Sequence, residues 1–134
     1  MPRERARTGP RALPLTITAL LLVACPRPAD RVAKDAQSVI DRTVPQPGRI
    51  IPGDSLRREG QVLRANWTVE VDMQWSAYAD WVASQLREFR LVNREADALH
   101  FNRPLEGDVY YVTLERRPRD GALLVEARFE ARPF

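Results

Sequence analysis

Residues 65–75 alternate without a break. Ala65, Trp67, Val69, Val71, Met73 and Trp75 are apolar, and Asn66, Thr68, Glu70, Asp72 and Gln74 between them are polar. A period of two held for this long predicts a strand over about 61–75 with one buried and one wet face. A half-buried strand needs a second layer, and the following residues supply one. Tyr78, Trp81, Val82, Leu86 and Phe89 recur at three- and four-residue spacings. They predict a helix over 77–89, with Ser76 as its N-cap, whose apolar stripe covers the strand.

Alternation returns further along. Leu99 and Phe101 alternate with His100 and Asn102 in a short strand over 97–103, and Arg103 to Asp108 read as a turn. Tyr110, Val112 and Leu114 point inward from a strand over 109–117. Leu123, Val125, Ala127, Phe129 and Ala131 do so from a strand over 122–132, opposite Glu126, Arg128, Glu130 and Arg132. Pro118-Arg119-Asp120-Gly121 closes the hairpin, since Asp-Gly suits the positive-φ positions of a tight turn. The order strand–helix–strand–strand–strand predicts an α+β domain over 55–134. Its sheet is small and mainly antiparallel, with one helix packed on one face and a charged, solvated face opposite.

Residues 25–54 read as a tether. Asp30 is placed to cap a short helix over 31–42, with Val32, Ala36, Val39 and Ile40 along one stripe. That helix either docks on the domain or spaces it from whatever precedes it. Pro45, Pro47, Gly48, Pro52 and Gly53 then mark a linker.

The N-terminus has a different character. Arg3, Arg5, Arg7 and Arg11 precede the apolar run of residues 12–24. Thirteen residues are too few to span a bilayer core, which takes about 20. A charged segment followed by a short apolar one matches a secretory signal peptide over 1–24. The run ends Leu22-Val23-Ala24-Cys25, which resembles the lipobox of bacterial lipoproteins. The resemblance covers only these first 25 residues. It implies that the Cys25 thiol receives a diacylglycerol thioether, that cleavage falls before Cys25, and that the new amino group is often acylated. Two or three acyl chains anchor stably, at about 0.8 kcal/mol per buried CH₂. Pro26 stands where an aspartate retains such proteins at the inner membrane, so in a Gram-negative host the resemblance favours the outer membrane. The other reading of the same segment is a secreted protein cut near Ala24, with a free thiol.

The net charge of +3 invites a nucleic-acid partner, but its distribution does not. The four arginines and single glutamate of residues 1–24 account for all of it, leaving equal numbers of basic and acidic residues in the rest. A mature domain without net charge has no general pull toward phosphate backbones, so no nucleic-acid partner is expected. One cysteine forms no intramolecular disulfide.

Catalytic signatures are weak. His100 is the only histidine, sits on the outward side of a strand, and has no companion ligands for a metal site. No nucleophile–base–orienter set or glycine-rich phosphate loop is legible. Glu70 and Asp72 share the wet face of a strand, where a carboxylate pair invites acid–base work. An open face offers nothing to shift one pKa, and salt bridges to Arg128 or Arg132 on a neighbouring strand explain the pair better. Asn66-Trp67-Thr68 matches a glycosylation acceptor by chance, since it lies within a strand pattern. No enzyme activity, cofactor or metal is expected.

Candidate partner contacts are Arg116, Arg117 and Arg119 at the hairpin tip and Tyr111 on the wet face. The arginines suit anionic headgroups or an acidic partner, or are a solvated turn balanced by Glu115 and Asp120. Tyrosine is enriched in interfaces. Two functional readings follow. One is a non-enzymatic, lipid-anchored envelope protein that meets another envelope protein through its charged face or hairpin tip. The other is a module holding a small ligand, lipid or cell-wall glycan between helix and sheet. The first needs an exposed patch; the second needs a cavity with a few convergent polar groups.

Overall fold

The computed structural model describes residues 28–117 and 121–133. The expected signal peptide, the Leu22–Cys25 motif and Arg119 lie outside the described residues. Two helices and seven antiparallel strands follow in chain order: α1 (Ala29–Arg42), β1 (Gly48–Pro52), β2 (Arg57–Glu59), β3 (Val62–Val71), α2 (Trp75–Gln85), β4 (Arg90–Arg94), β5 (Ala98–Pro104), β6 (Asp108–Arg117) and β7 (Leu123–Pro133). They make one open sheet in the order β1-β3-β7-β6-β5-β4, with β2 also paired to β3. The α+β class, the antiparallel sheet and the helical layer on one face are as expected. Among the described residues the two helices are those expected over 31–42 and 77–89, with the first now part of the domain, and three strands (β1, β2 and β4) were not legible in the sequence.

The alternating strands fall in register, so their apolar rows coincide. Trp67 stands opposite Ala127, and Ala127 opposite Leu114. Val69 stands opposite Val125, and Phe129 lies between Ala65 and Val112. Tyr110, Phe129, Leu99, Leu114, Val69 and Val112 are fully buried against Tyr78, Val82 and Leu86 of the α2 region. Tyr110 meets Phe129 edge-on, with ring centroids 5.0 Å apart.

Strand β3 stops at Val71, short of the predicted Trp75. Two periods overlap here: Trp75 continues the alternation of β3, but it also lies three residues before Tyr78, and their rings stack at 6.1 Å. The helical spacing wins because the chain bends at 72–74. Helix α2 therefore begins at Trp75, not after Ser76, and Gln74 at the cap position makes no side-chain cap bond. It ends at Gln85, four residues before the predicted end. Leu86 and Phe89 stay buried all the same, as the chain turns under the sheet through Leu86 N–H to Val82 O and Phe89 N–H to Leu86 O.

The expected tether is folded. Val32, Ala36 and Val39 of α1 are buried in the same core as β3, β7 and α2. Asp30 does not cap this helix: α1 starts at Ala29, and Pro28 occupies the cap position without a side-chain bond. Strand β1, within the expected linker, pairs with β3 from Gly48 opposite Val71 to Pro52 opposite Trp67. The close approach that follows needs glycine: a Cβ on Gly53 would lie 2.5 Å from the Asn66 carbonyl oxygen.

Candidate functional site

The register fixes which end of the sheet each residue occupies. Leu63, Ala131 and Tyr110 share one row near the end that carries the β5–β6 turn and the end of β7. At the opposite end, Val71, Leu123 and Arg117 lead into α2 and the β6–β7 hairpin. Helix α1 runs along the sheet between these ends. Near its middle, Asp35 accepts a hydrogen bond from the Tyr110 hydroxyl at 2.5 Å. At its end, Thr43 contacts Trp67, several rows further on.

The candidate contacts do not gather into one site. Arg116 and Arg117 are chain neighbours, so strand alternation sends them to opposite faces. Arg116 reaches toward Asp97 at 3.9 Å, and its backbone N–H donates to the Asp97 carbonyl. Arg117 lies on the open face and donates to Glu126 at 2.6 Å; that bond and the carboxylate's charge hold its guanidinium pKa up. Tyr111 is exposed as expected, but it lies six residues back along β6, roughly 20 Å from Arg117 at the rise of a strand. The Arg132 guanidinium covers its ring at 5.6 Å. The hairpin tip and Tyr111 are therefore separate surfaces.

Glu70 forms an ion pair with an arginine on a neighbouring strand, as expected, but the arginine is a different one. Glu70 accepts a hydrogen bond from Arg49 of β1 at 2.7 Å, not from Arg128 or Arg132, because β1 flanks that part of β3. Asp72 lies past the end of the strand. His100 is surface-exposed and bonds Glu95 at 2.6 Å. Among the described residues, no three His, Cys, Asp or Glu side chains are grouped to hold a metal ion.

Sequence reasoning missed a knot of charge on the open face. Glu130 of β7 is largely buried. It accepts from Arg64 at 2.8 Å and from Arg132 at 3.1 Å. Arg64 also donates to Glu59 of β2 at 2.8 Å. Burial alone would raise the Glu130 carboxyl pKa, but the two arginines outweigh it and hold it below the usual glutamate range. Glu88 behaves alike: partial burial pushes it up, and Arg42 prevails and lowers it. The alternation of β7 had placed Glu130 on the wet face; only the register reveals that Arg64 meets it there.

The space between helices and sheet is filled by Tyr78, Tyr110, Phe129 and Leu86, so the position expected for an enclosed ligand is occupied by core. Among the depressions on the outside of the described residues, two lie near the candidate contacts. One, of about 350 Å³, lies on the open face among Asn66, Thr68, Thr113, Glu115, Arg117 and Arg128. The other, of about 370 Å³, lies at the hairpin end among Met73, Trp75, Ser76, Arg116 and Leu123.

No protein-family model matches the chain, and no curated protein matches its sequence. A crystal structure of LpqN, involved in cell envelope biogenesis of Mycobacterium tuberculosis, is similar at a TM-score of 0.38 and 12% identity, over 67% of this chain and 68% of that one. An overlap this loose assigns neither a family nor an activity. Among the described residues, no helix is long and apolar enough to cross a membrane.

Proposed function

We propose that this protein is a non-enzymatic, lipid-anchored protein of the bacterial cell envelope whose small domain serves as an interaction module at a membrane surface. The observation that carries the reading is the N-terminal sequence: an arginine-rich segment, a thirteen-residue apolar run and Leu22-Val23-Ala24-Cys25, followed by folded chain from Ala29. The apolar run ends where the motif demands a thiol, and Cys25 is the only cysteine.

Arginine pairing moves the carboxyl pKa values of Glu88 and Glu130 down, as in ion pairs that hold strands and helices together. With Pro26 after Cys25, the outer membrane is the proposed destination in a Gram-negative host.

The test is the intact mass of protein extracted from membranes, beside a Cys25→Ser variant. A chain beginning at an acylated Cys25, with both mass and membrane association lost in the variant, is the expected result. An unlipidated chain beginning elsewhere overturns the proposal.

A further inference from the structure

We infer that the domain stands end-on at the membrane. The end of the sheet carrying the β5–β6 turn faces anionic lipid headgroups through Arg31, Lys34 and Arg58, and the β6–β7 hairpin end points away toward any partner. The inference rests on the lipid-anchor reading above and adds an orientation to it.

Four observations combine. First, the chain from Cys25 to Pro28 is three residues, so its fullest reach is about 10 Å, and the fold begins immediately after. A thirty-residue tether would leave the domain free to tumble; three residues do not. Second, the polarity of α1 is fixed by its contacts. Asp35 meets Tyr110, in the row of Leu63 and Ala131, and Thr43 meets Trp67, in the row of Ala127 and Leu114. The start of α1 lies six residues before Asp35, about 9 Å further toward the β5–β6 turn. Third, Arg117 lies seven residues along β6 from Tyr110, about 23 Å in the opposite direction. Anchor and hairpin are therefore at opposite ends.

The fourth observation is charge. Arg31 and Lys34 are exposed on the first turns of α1, and Arg58, opposite Leu63, is exposed at the same end of the sheet. None of the three has an ion-pair partner among the described residues, and Asp30 is the acid on the helix's first turn. At the far end, Arg117 is already matched by Glu126 and Arg116 faces Asp97. Free cations beside the anchor suit an anionic surface, while Arg116 and Arg117 at the far end already face acids. Arg116 and Arg117 are thus turned away from the headgroups that the sequence alone made a candidate partner for them.

The test uses the full lipidated protein in vesicles, with a fluorophore on a single introduced cysteine and an energy acceptor on the lipid headgroups. Lipidation occupies the Cys25 thiol, so labelling is specific. Glu106→Cys places the fluorophore in the β5–β6 turn, and Ala96→Cys places it at the hairpin end; both positions are exposed. Transfer severalfold stronger from position 106 than from 96, with the contrast greater on phosphatidylglycerol than on phosphatidylcholine vesicles, is expected. Equal transfer from both positions on vesicle-bound protein means a domain lying flat or tumbling, and overturns the orientation while the anchor stands. A contrast that ignores lipid charge overturns the role of the three cations. Protein that does not float with the vesicles overturns the anchor reading itself, and the orientation with it.

Discussion

The indole N–H of Trp67 donates to the Thr43 hydroxyl at 3.0 Å, and both residues are buried. The Thr43 hydroxyl also donates a hydrogen bond to the Ile40 carbonyl at 2.8 Å, and the Thr43 backbone carbonyl accepts one from the Tyr78 hydroxyl at 2.7 Å. One residue after α1 thus joins that helix to the central strand and to α2. Burial pushes the Tyr78 phenol pKa well up, so it stays a donor throughout the ordinary pH range. Thr43→Val keeps the shape and leaves the buried indole N–H without an acceptor, which costs about 1–3 kcal/mol. Thr43→Ser keeps the oxygen and should retain most of the stability. Urea unfolding of the two variants checks this; a loss in Thr43→Ser with none in Thr43→Val would show that the methyl group matters and the hydrogen bond does not.

Glu130 sets a pH dependence. Its folded-state pKa lies below that of an unfolded glutamate, about 4.3. A lowered carboxyl pKa means stability that is present above the unfolded value and lost as pH falls through the folded one. Glu130→Gln should therefore cost about 1–2 kcal/mol at pH 7, given partners that are partly exposed. The gap between wild type and variant should hold down to about pH 5 and close as pH drops below about 4. Thermal melts across pH 3–7 read this directly. A gap that widens in acid would mean that Glu130 is strained rather than stabilised by Arg64 and Arg132.

What the sequence announced and what it hid follow from the same physics. Strands β3, β5, β6 and β7 bury one face, so their residues alternate and can be read. Strand β4 is exposed along its whole length and carries a bulge between Leu91 and Asn93, so no period survives. Strand β2 is three charged residues, and β1 lies between Pro47 and Pro52, where proline and glycine look like linker. The α1 stripe was visible, but an apolar stripe does not say what it will pack against. Of the candidate contacts, exposure was legible at Tyr111, whereas the pairing of Arg117 with Glu126 and the opposite facing of Arg116 depend on register. Nothing local marks Thr43, because its role comes from two residues 24 and 35 positions away.

Gly53 offers a steric test of how β1 joins the sheet. A Cβ there would meet the Asn66 backbone oxygen at 2.5 Å and its side-chain oxygen at 2.7 Å, at a point where Asn66 Oδ1 accepts the Asp54 N–H at 2.9 Å. Backbone cannot retreat as a side-chain tip can, so Gly53→Ala should cost about 1–3 kcal/mol by overpacking. Gly121 is the contrast: its φ is +93° and a Cβ would touch nothing, so alanine there costs about 1 kcal/mol from backbone strain alone. If chemical unfolding ranks Gly121→Ala as the more damaging, the 53–54 connection is not held as tightly against Asn66 as its geometry implies.

The last prediction concerns whether α1 belongs to the domain in energy as well as in contact. Val39 is buried among core side chains shared by both helices and the sheet. Val39→Ala removes two methyl groups from that site and should cost about 2 kcal/mol of global stability. If α1 were an independently fraying spacer, the same change would loosen the helix and leave the sheet's unfolding midpoint unmoved. Hydrogen exchange separates the two: amides of 32–42 should exchange at rates near those of β3 and β7, and the variant should accelerate all three together. Acceleration confined to α1 would restore the picture of a tether. The short three-residue link from Cys25, and the orientation built on it, would then lose their footing.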